Sequence, residues 1–289
     1  MPQLELTPLR EYSAFRRLAL GSWRSTKDPT IYGSLDVRME QCIAYLEAFR
    51  HRTGLRLTVT HLVTKALGDA LKRCPEANAV LRFNRIYLRK HVDISILVVQ
   101  TDEGESKVDL AAAKVADVDQ KSLYQIVQEC EEIIRKVRHR QDQAMEAGKK
   151  STSRIPLVLM GWALDLISFL MYTLNLDLTR FGIPRDPFGG ATVTNVGTLG
   201  IDTAYVPLVP YTRVPIFLAP GAIKDLPVVE GDQVVPGKVL RLNATFDHRF
   251  VDGFHTMILA RTIRKYLEDP FHHFDAIESL PLKSELQQK

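Results

Sequence analysis

The run VLRLNATF, residues 239–246, restricts the fold of this chain more than any other feature. Successive side chains of a strand point to opposite faces, so its alternating pattern predicts a strand with one apolar face. That face is formed by Leu240, Leu242, Ala244 and Phe246. Beyond DHRFVDG, residues 247–253, apolar residues recur at helical spacing as far as Pro270. We therefore expect a strand that runs into a helix, with DHRFVDG at the junction.

Three further segments carry an apolar stripe at helical spacing, and two others have strand patterns. The helical segments begin near Asp36, which is placed to cap the first, at Thr60 and at Leu123. The β-branched run HVDISILVV predicts a buried strand, and PVVEGDQVV predicts a hairpin with Gly231 and Asp232 at its turn. Helices and strands mixed in this irregular order favour an α/β or α+β domain built in layers.

Composition excludes several classes of function. The 289 residues, 45% hydrophobic and 25% charged, are typical of a globular protein with a sizeable core. The formal charge of +4 comes from Lys and Arg spread along the chain, so no nucleic acid partner is expected. Three isolated cysteines predict neither a zinc site nor a disulfide framework. The N-terminus lacks the pattern of a signal peptide, and we expect a cytoplasmic protein.

Residues 155–176, IPLVLMGWALDLISFLMYTLNL, are apolar on all sides except at Asp165. The segment is long enough to cross a bilayer, which takes about 20 residues. A carboxylate near the centre of a span costs roughly 2.5–3.5 kcal/mol, which argues against crossing. Peripheral contact of residues 155–176 with a membrane surface stays open.

Within DHRFVDG, His248 and Asp252 are either catalytic or structural. The pKa of a free imidazole lies near ambient pH, so a histidine at a strand end is suited to take a proton. The structural alternative is a hydrogen-bonded histidine beside an aspartate that caps the next helix. Gly253 would permit a close backbone approach or an unusual dihedral angle. H-x-x-x-D-G arises by chance roughly once per three hundred histidines, and the chain has eight. The spacing therefore favours a functional site.

DHRFVDG resembles the active-site signature of the acyltransferase core components of 2-oxoacid dehydrogenase complexes, which are relatives of chloramphenicol acetyltransferase. The resemblance extends to TPLREYSAFRRLAL, LTVTHLVTKALGDALKRCPEANAVL, HVDISILVVQTDEG, DVDQKSL, GGATVTNVGTLGID and the run from VPIFLAPG to the motif. It covers roughly residues 5 to 270, apart from an insertion at about 147–188. It implies a two-layer mixed-sheet sandwich forming a single catalytic domain over residues 1–289.

The resemblance also implies roles for individual residues. His248 matches the general base that removes a thiol proton, so that the thiolate attacks a thioester carbonyl. Asp252 matches a structural aspartate that pairs with an arginine of the first helix, for which Arg16 is the candidate. Thr194 stands where the family usually has a serine that donates a hydrogen bond to the oxyanion. Supporting roles are expected for Asn195, Arg249 and Gly253, and no metal is expected.

Coenzyme A or acyl-CoA is the implied substrate, and the family works as trimers with the active site between subunits. His248 and Thr194 of one site would then come from different chains. We expect a homotrimer rather than a larger cage, because the C-terminal residues are mostly polar. We expect no lipoyl or peripheral-subunit-binding domain before the motifs, so a lipoyl group would come from a lipoyl-carrying or dehydrogenase partner protein.

Two departures keep an alternative function open. ESKVDLAAAKVADVD differs from the strand that the family usually has near its substrate channel, and Thr194 replaces the serine. The alternative is a non-catalytic scaffold that keeps the fold and uses the apolar insertion to bind a membrane or a partner protein.

Overall fold

The computed structural model of the chain describes residues 3–8, 28–101, 108–138 and 156–283. Its helices, in chain order, are α1 Glu40–Thr53, α2 Val59–Arg73, α3 Leu123–Arg138, α4 Leu157–Ser168, α5 Gly253–Glu268 and α6 Pro270–His273. Its strands are β1 Leu6–Pro8, β2 Thr30–Arg38, β3 Ala79–Arg82, β4 Arg85–Arg89, β5 Ile94–Thr101, β6 Val108–Val115, β7 Ala191–Val193, β8 Ile216–Glu230 and β9 Gln233–Asp247.

The strands form two sheets. The large sheet has six strands in the order β2-β9-β8-β7-β5-β6, and the small sheet has the order β1-β4-β3. Strand β7 runs parallel to both β5 and β8, whereas the other pairs of the large sheet are antiparallel. Helices α2, α3 and α5 pack against the large sheet, and α1 packs against α5. The predicted layered α/β fold with a mixed sheet is confirmed.

The predicted hairpin and the strand-to-helix junction are both present. Glu230 pairs with Gln233 across a two-residue turn, in which Gly231 has a φ of 59°. This left-handed conformation suits glycine, since it has no Cβ to clash with the backbone. Strand β9 includes the whole of VLRLNATF, and α5 begins at Gly253. DHRFVDG therefore connects the end of a long sheet strand with the start of α5, a helix with one buried face.

The prediction that Asp36 caps the first helix is wrong. Strand β2 extends to Arg38, and α1 begins only at Glu40. Asp36 instead lies opposite Arg241 on β9, and its carboxylate accepts hydrogen bonds from Nε and Nη2 of that arginine at 2.7 and 2.8 Å. A cross-strand ion pair thus takes the place of the predicted cap.

The second side of β9 is also covered near the junction. Asn243 is fully buried there, and its side-chain amide donates to the carbonyl oxygens of Ala219 and Asp202, each at 3.1 Å. Asp202 belongs to the long connection between β7 and β8. That connection begins at Thr194. The hydrogen bond from Asn243 to Asp202 therefore holds the connection against the strand that leads into the motif.

The inserted apolar segment forms a helix and does not extend the core of the large sheet. Helix α4 continues into a π-helical turn, Phe169–Thr173. Met171 and Tyr172 in that turn form a separate buried cluster with Leu4 and with Val80 of the small sheet. Within the described part of the chain, no helix is long and apolar enough to cross a membrane.

Candidate active site

Asp247, the last residue of β9, shapes the turn that carries the motif. Its buried carboxylate accepts two hydrogen bonds from Arg249, from Nε at 2.9 Å and from Nη2 at 2.6 Å, and one from the Arg249 backbone at 3.0 Å. A bidentate guanidinium–carboxylate pair fixes both direction and distance. The residue between these two charges, His248, is therefore held on a rigid turn.

His248 is fixed through its backbone and its ring. Its backbone N–H donates to the Pro29 carbonyl at 2.8 Å, and its ring Nδ1 lies 2.9 Å from the Val251 carbonyl oxygen. A carbonyl oxygen can only accept, so this contact requires the proton to be on Nδ1. In the neutral imidazole, Nε2 then carries the lone pair. This is the protonation state that a general base needs.

Asp252 is the N-cap of α5. Its Oδ1 accepts hydrogen bonds from the backbone N–H groups of Phe254 and His255 at 3.0 and 3.1 Å. Nδ1 of His255 lies 2.5 Å from the same oxygen, and Nε2 of His255 lies 3.0 Å from Oε2 of Glu76. Burial acts to raise the pKa of the Asp252 carboxyl, but the hydrogen bonds from the His255 backbone and ring outweigh it and lower that pKa. The contacts of Asp252 are thus those expected from the structural alternative, in which the aspartate caps the next helix.

Two expectations around Asp252 have different outcomes. Arg16, its predicted partner, lies outside the described residues. Gly253 was expected to permit a close approach or an unusual dihedral angle, but its φ is not positive, and within the described chain a Cβ there would have no atom within 4 Å. Within the described residues, Gly253 is the first residue of α5 and shows neither feature.

Thr194 and Asn195 follow β7 directly. The Thr194 backbone N–H donates to the Leu218 carbonyl at 2.9 Å, which continues the pairing of β7 with β8. The Asn195 amide donates to Oγ1 of Thr60 in the first turn of α2 at 3.1 Å, and its Oδ1 accepts the Thr198 N–H at 3.2 Å. Asn195 therefore anchors the backbone beside Thr194.

The sheet register separates Thr194 from His248 within one chain. Val193 lies opposite Leu218 on β8, and Leu218 lies opposite Ala244 on β9. Counted from this row of paired residues, Thr194 lies one residue towards one end of the strands and His248 lies four residues towards the other end. The two residues are therefore roughly 16 Å apart along the strand direction. The two strand spacings between β7 and β9 add about 10 Å across the sheet. One thioester cannot contact both side chains of the same chain.

Sequence reasoning missed two groups beside the motif. His255 contacts Oδ1 of Asp252 through its ring, and the signal was present, because it stands three residues after the N-cap, where a side chain can reach back to the capping residue. Arg213 precedes β8, and its Nε donates to Oγ of the buried Ser168 at the end of α4, at 3.0 Å. Burial is the main cause that lowers the pKa of the Arg213 guanidinium, and the charges of Asp247 and Arg249 are close enough to influence that pKa as well. No spacing in the sequence indicates that contact.

A family profile matches most of this fold and includes His248, Asp252, Thr194 and Asn195. The profile of the 2-oxoacid dehydrogenases acyltransferase (catalytic domain) family matches residues 8–153 and 187–274. The chain belongs to this family. The residues between the two matched ranges lie inside the predicted insertion, and α4 and its π-helical turn are outside the part of the chain that the profile matches.

Relatives and solved structures agree with this assignment. The dihydrolipoyllysine-residue succinyltransferase component of the 2-oxoglutarate dehydrogenase complex of Escherichia coli (strain K12) is 27% identical over 270 residues, 93% of this chain and 55% of that protein. The chain thus spans about half the length of this curated relative.

Two solved structures share the acyltransferase fold. Dihydrolipoamide acetyltransferase of Azotobacter vinelandii has a TM-score of 0.63 at 21% identity, covering 92% of this chain and 93% of that one. A chloramphenicol acetyltransferase has a TM-score of 0.51 at 12% identity, and the match covers 91% of this chain and 100% of that one. The predicted resemblance of fold is confirmed.

Proposed function

We propose that the chain is a coenzyme A-dependent acyltransferase that exchanges an acyl group between two thiols, with His248 as the general base. The observation that carries the proposal is the contact between Nδ1 of His248 and the Val251 carbonyl, which leaves the lone pair on Nε2. The family assignment of the catalytic domain supports the same chemistry.

The reaction would proceed in two proton-coupled steps. Nε2 of His248 takes the proton of the acceptor thiol, and the thiolate sulfur forms a bond to the thioester carbonyl carbon. A thiol pKa of about 8.5 is within reach of a neutral imidazole. The tetrahedral intermediate then expels the second sulfur, which recovers the proton from the imidazolium. All atoms and electrons of the reactants are thus accounted for in the products, and the proposed mechanism uses no metal.

Thr194 is the proposed donor to the oxyanion of that intermediate. Its hydroxyl can donate as a serine hydroxyl does, and the two hydrogen bonds of Asn195 support the backbone that carries it. The added methyl group restricts its rotamers. We expect Thr194→Ser to keep activity and Thr194→Val, which has the same shape without the hydroxyl, to lose about ten- to a thousandfold in kcat.

A second copy of the chain would complete the site. The separation of Thr194 from His248 along the sheet supports a homotrimer in which each site takes one residue from each of two neighbours. The connection after Thr194 exposes apolar side chains that such a neighbour could cover, at Leu199, Ile201 and Tyr205. Exposed apolar groups gathered in one place indicate an interaction surface.

The second thiol would be a lipoyl group carried by another protein. The E. coli relative is a dihydrolipoyllysine-residue succinyltransferase and a component of a dehydrogenase complex, which supports a lipoyl-carrying or dehydrogenase partner here. A cytoplasmic location suits this role. It is supported by Cys42, Cys74 and Cys130, which are buried and unbridged.

The decisive experiment replaces His248 with Ala and measures acyl transfer from acetyl-CoA to dihydrolipoamide. We expect activity to fall to background while size-exclusion chromatography gives an unchanged oligomer. His272→Ala, at an exposed histidine of α6, is the matched control and should retain full activity. Undiminished activity in the His248 variant would refute the mechanism.

A scaffold that binds a membrane through the insertion is the second candidate. The observation in its favour is an exposed apolar stripe on α4 and the π-helical turn, formed by Leu159, Trp162, Leu166 and Phe169. The basic residues of KKSTSR precede the segment in the sequence, and anionic lipid surfaces attract such runs. Calorimetric titration with acetyl-CoA separates the two candidates, because a scaffold without catalytic function would give no binding heat.

A further inference from the structure

A polar cavity lies apart from the His248 turn, beside the small sheet and the insertion. It measures about 210 Å³ and is lined by residues 3–5, by the end of β4 from Arg89 to His91, by Asp93 and Lys114, and by Arg185 and Asp186. Since a water molecule takes about 30 Å³ in the liquid, the cavity has room for a group of several heavy atoms.

Arg89 is the most deeply buried charge in the wall of this cavity. Its side chain is only 4% exposed, and its Nη1 donates to Oδ2 of Asp186. Within the described part of the chain, neither Nε nor Nη2 of Arg89 has a hydrogen-bond partner, and Oδ1 of Asp186 has none either. Buried polar groups are almost always hydrogen-bonded, so a guanidinium left in this state indicates a missing acceptor.

The unpartnered edge of Arg89 has a defined chemistry. Nε and Nη2 point their N–H bonds in parallel, and this is the edge that pairs with two oxygens of a carboxylate or phosphate. The same edge is occupied elsewhere in the molecule, in Arg241 by Asp36 and in Arg249 by Asp247. Asp186 occupies only Nη1 of Arg89, so the bidentate position remains for an oxyanion.

The other charges of the wall favour an anion over a cation. Two of its three carboxylates already face lysines, Glu5 with Lys90 at 3.5 Å and Asp93 with Lys114 at 3.3 Å, and the third is Asp186. The four Lys and Arg residues of the wall exceed these three carboxylates by one, and His91 lies beside them. A cation would face an excess of like charge.

We propose that this cavity binds a small oxyanion, a carboxylate or a phosphate, on the Nε–Nη2 edge of Arg89. The site is independent of the acyl-transfer reaction. Residues 3–5 and Arg185–Asp186 line the same cavity, and Gln3 donates to the Pro184 carbonyl at 3.1 Å. The bound anion would therefore hold the N-terminal strand segment against the end of the insertion.

The test is calorimetric titration of the full chain with sodium phosphate and, separately, with sodium succinate, with sodium chloride at matched ionic strength as the blank. The two ligands distinguish a phosphate site from a carboxylate site. Two variants form a matched pair: Asp186→Asn keeps the guanidinium, and Arg89→Gln/Asp186→Asn removes both charges, so neither charge is left buried alone in the double variant. Arg241→Gln, at an exposed arginine, is the control.

We expect the wild type to bind at least one of the two anions and the Asp186→Asn variant to bind it more tightly, because a competing carboxylate is gone. The double variant should bind at least about tenfold more weakly than Asp186→Asn, since the two differ only at the guanidinium. Equal binding by those two variants would refute the proposal, as would a wild type that gives no heat and no rise in melting temperature with either anion.

Discussion

Oδ1 of Asp252 and Nδ1 of His255 lie 2.5 Å apart across the first turn of the helix that follows the motif. An ionised carboxylate only accepts hydrogen bonds, so the proton of this contact is on Nδ1 of His255. The same oxygen accepts two backbone N–H groups, and the other ring nitrogen of His255 faces Glu76. The aspartate of DHRFVDG thus fixes where α5 begins, at Gly253, five residues after His248.

Replacing Asp252 should affect stability more than the chemistry of the thiol. Asp252→Ala removes the cap and should cost about 1–2 kcal/mol of unfolding free energy, whereas Asp252→Asn keeps an acceptor and should cost less. Because the pKa of Asp252 is lowered in the folded state, its contribution is complete above the unfolded pKa of about 3.9 and is lost as the pH falls through the folded pKa. Urea unfolding at pH 7 and pH 3.5 measures both. An equal loss in both variants would contradict the capping role.

The elements that the sequence predicted correctly are those with one strong local signal. VLRLNATF alternates over a full strand, and Gly231 with Asp232 forms the two-residue turn that hairpins prefer. Helix α2 ends at Arg73, two residues before Pro75, a residue type that cannot continue a helix. The site residues on this frame were identified by resemblance, and their roles remain predictions.

The features that local patterns did not predict depend on long-range pairing. By local preference Asp36 is a good N-cap and a poor strand residue, and only the register that places it opposite Arg241 accounts for its position in a strand. Arg89 and Asp186 are 97 residues apart in the chain and meet only because the insertion packs on the small sheet. Contacts of this kind follow from tertiary packing, which overrides local preference.

Mixed oligomers should reveal whether a site takes its two residues from two chains. His248→Ala subunits retain Thr194, and Thr194→Val subunits retain His248, so randomly mixed trimers would contain intact sites at roughly a quarter of their interfaces. We expect unfolding and refolding the two inactive proteins together to restore roughly that share of wild-type kcat. The control refolds each protein alone. No gain on mixing would mean that each site is built within one chain.

A single substitution on the inserted helix should distinguish membrane contact from a purely structural insertion. Trp162 is 81% exposed, and burying such a side chain in a lipid interface is worth about 1.5–3 kcal/mol. Trp162→Glu should therefore reduce co-sedimentation with phosphatidylglycerol vesicles by about tenfold or more. Val229→Glu, at the exposed tip of the β8–β9 hairpin, is the matched control and should bind as the wild type does. Equal sedimentation of all three proteins would exclude this face as a membrane contact.

His61 should make the fold sensitive to mild acid. Its ring is buried in the first turn of α2, where Nδ1 accepts the backbone N–H of Thr58 at 3.3 Å. Burial lowers the pKa of His61 to about 4, whereas an unfolded histidine has a pKa of about 6.5, so the unfolded chain binds more protons between these values. The stabilising contribution is therefore complete above pH 6.5 and is lost as the pH falls towards 4, by up to about 3 kcal/mol.

The matched variant for His61 is His61→Gln, because glutamine at this helix position can accept the same N–H but does not titrate. Urea unfolding of the two proteins at pH 7 and pH 4.5 should give a wild type that loses clearly more free energy than the variant does over this interval. Other groups titrate in both proteins alike, so the difference between them isolates the imidazole. Parallel losses in the two proteins would show that His61 is already charged in the folded state or does not titrate in this range.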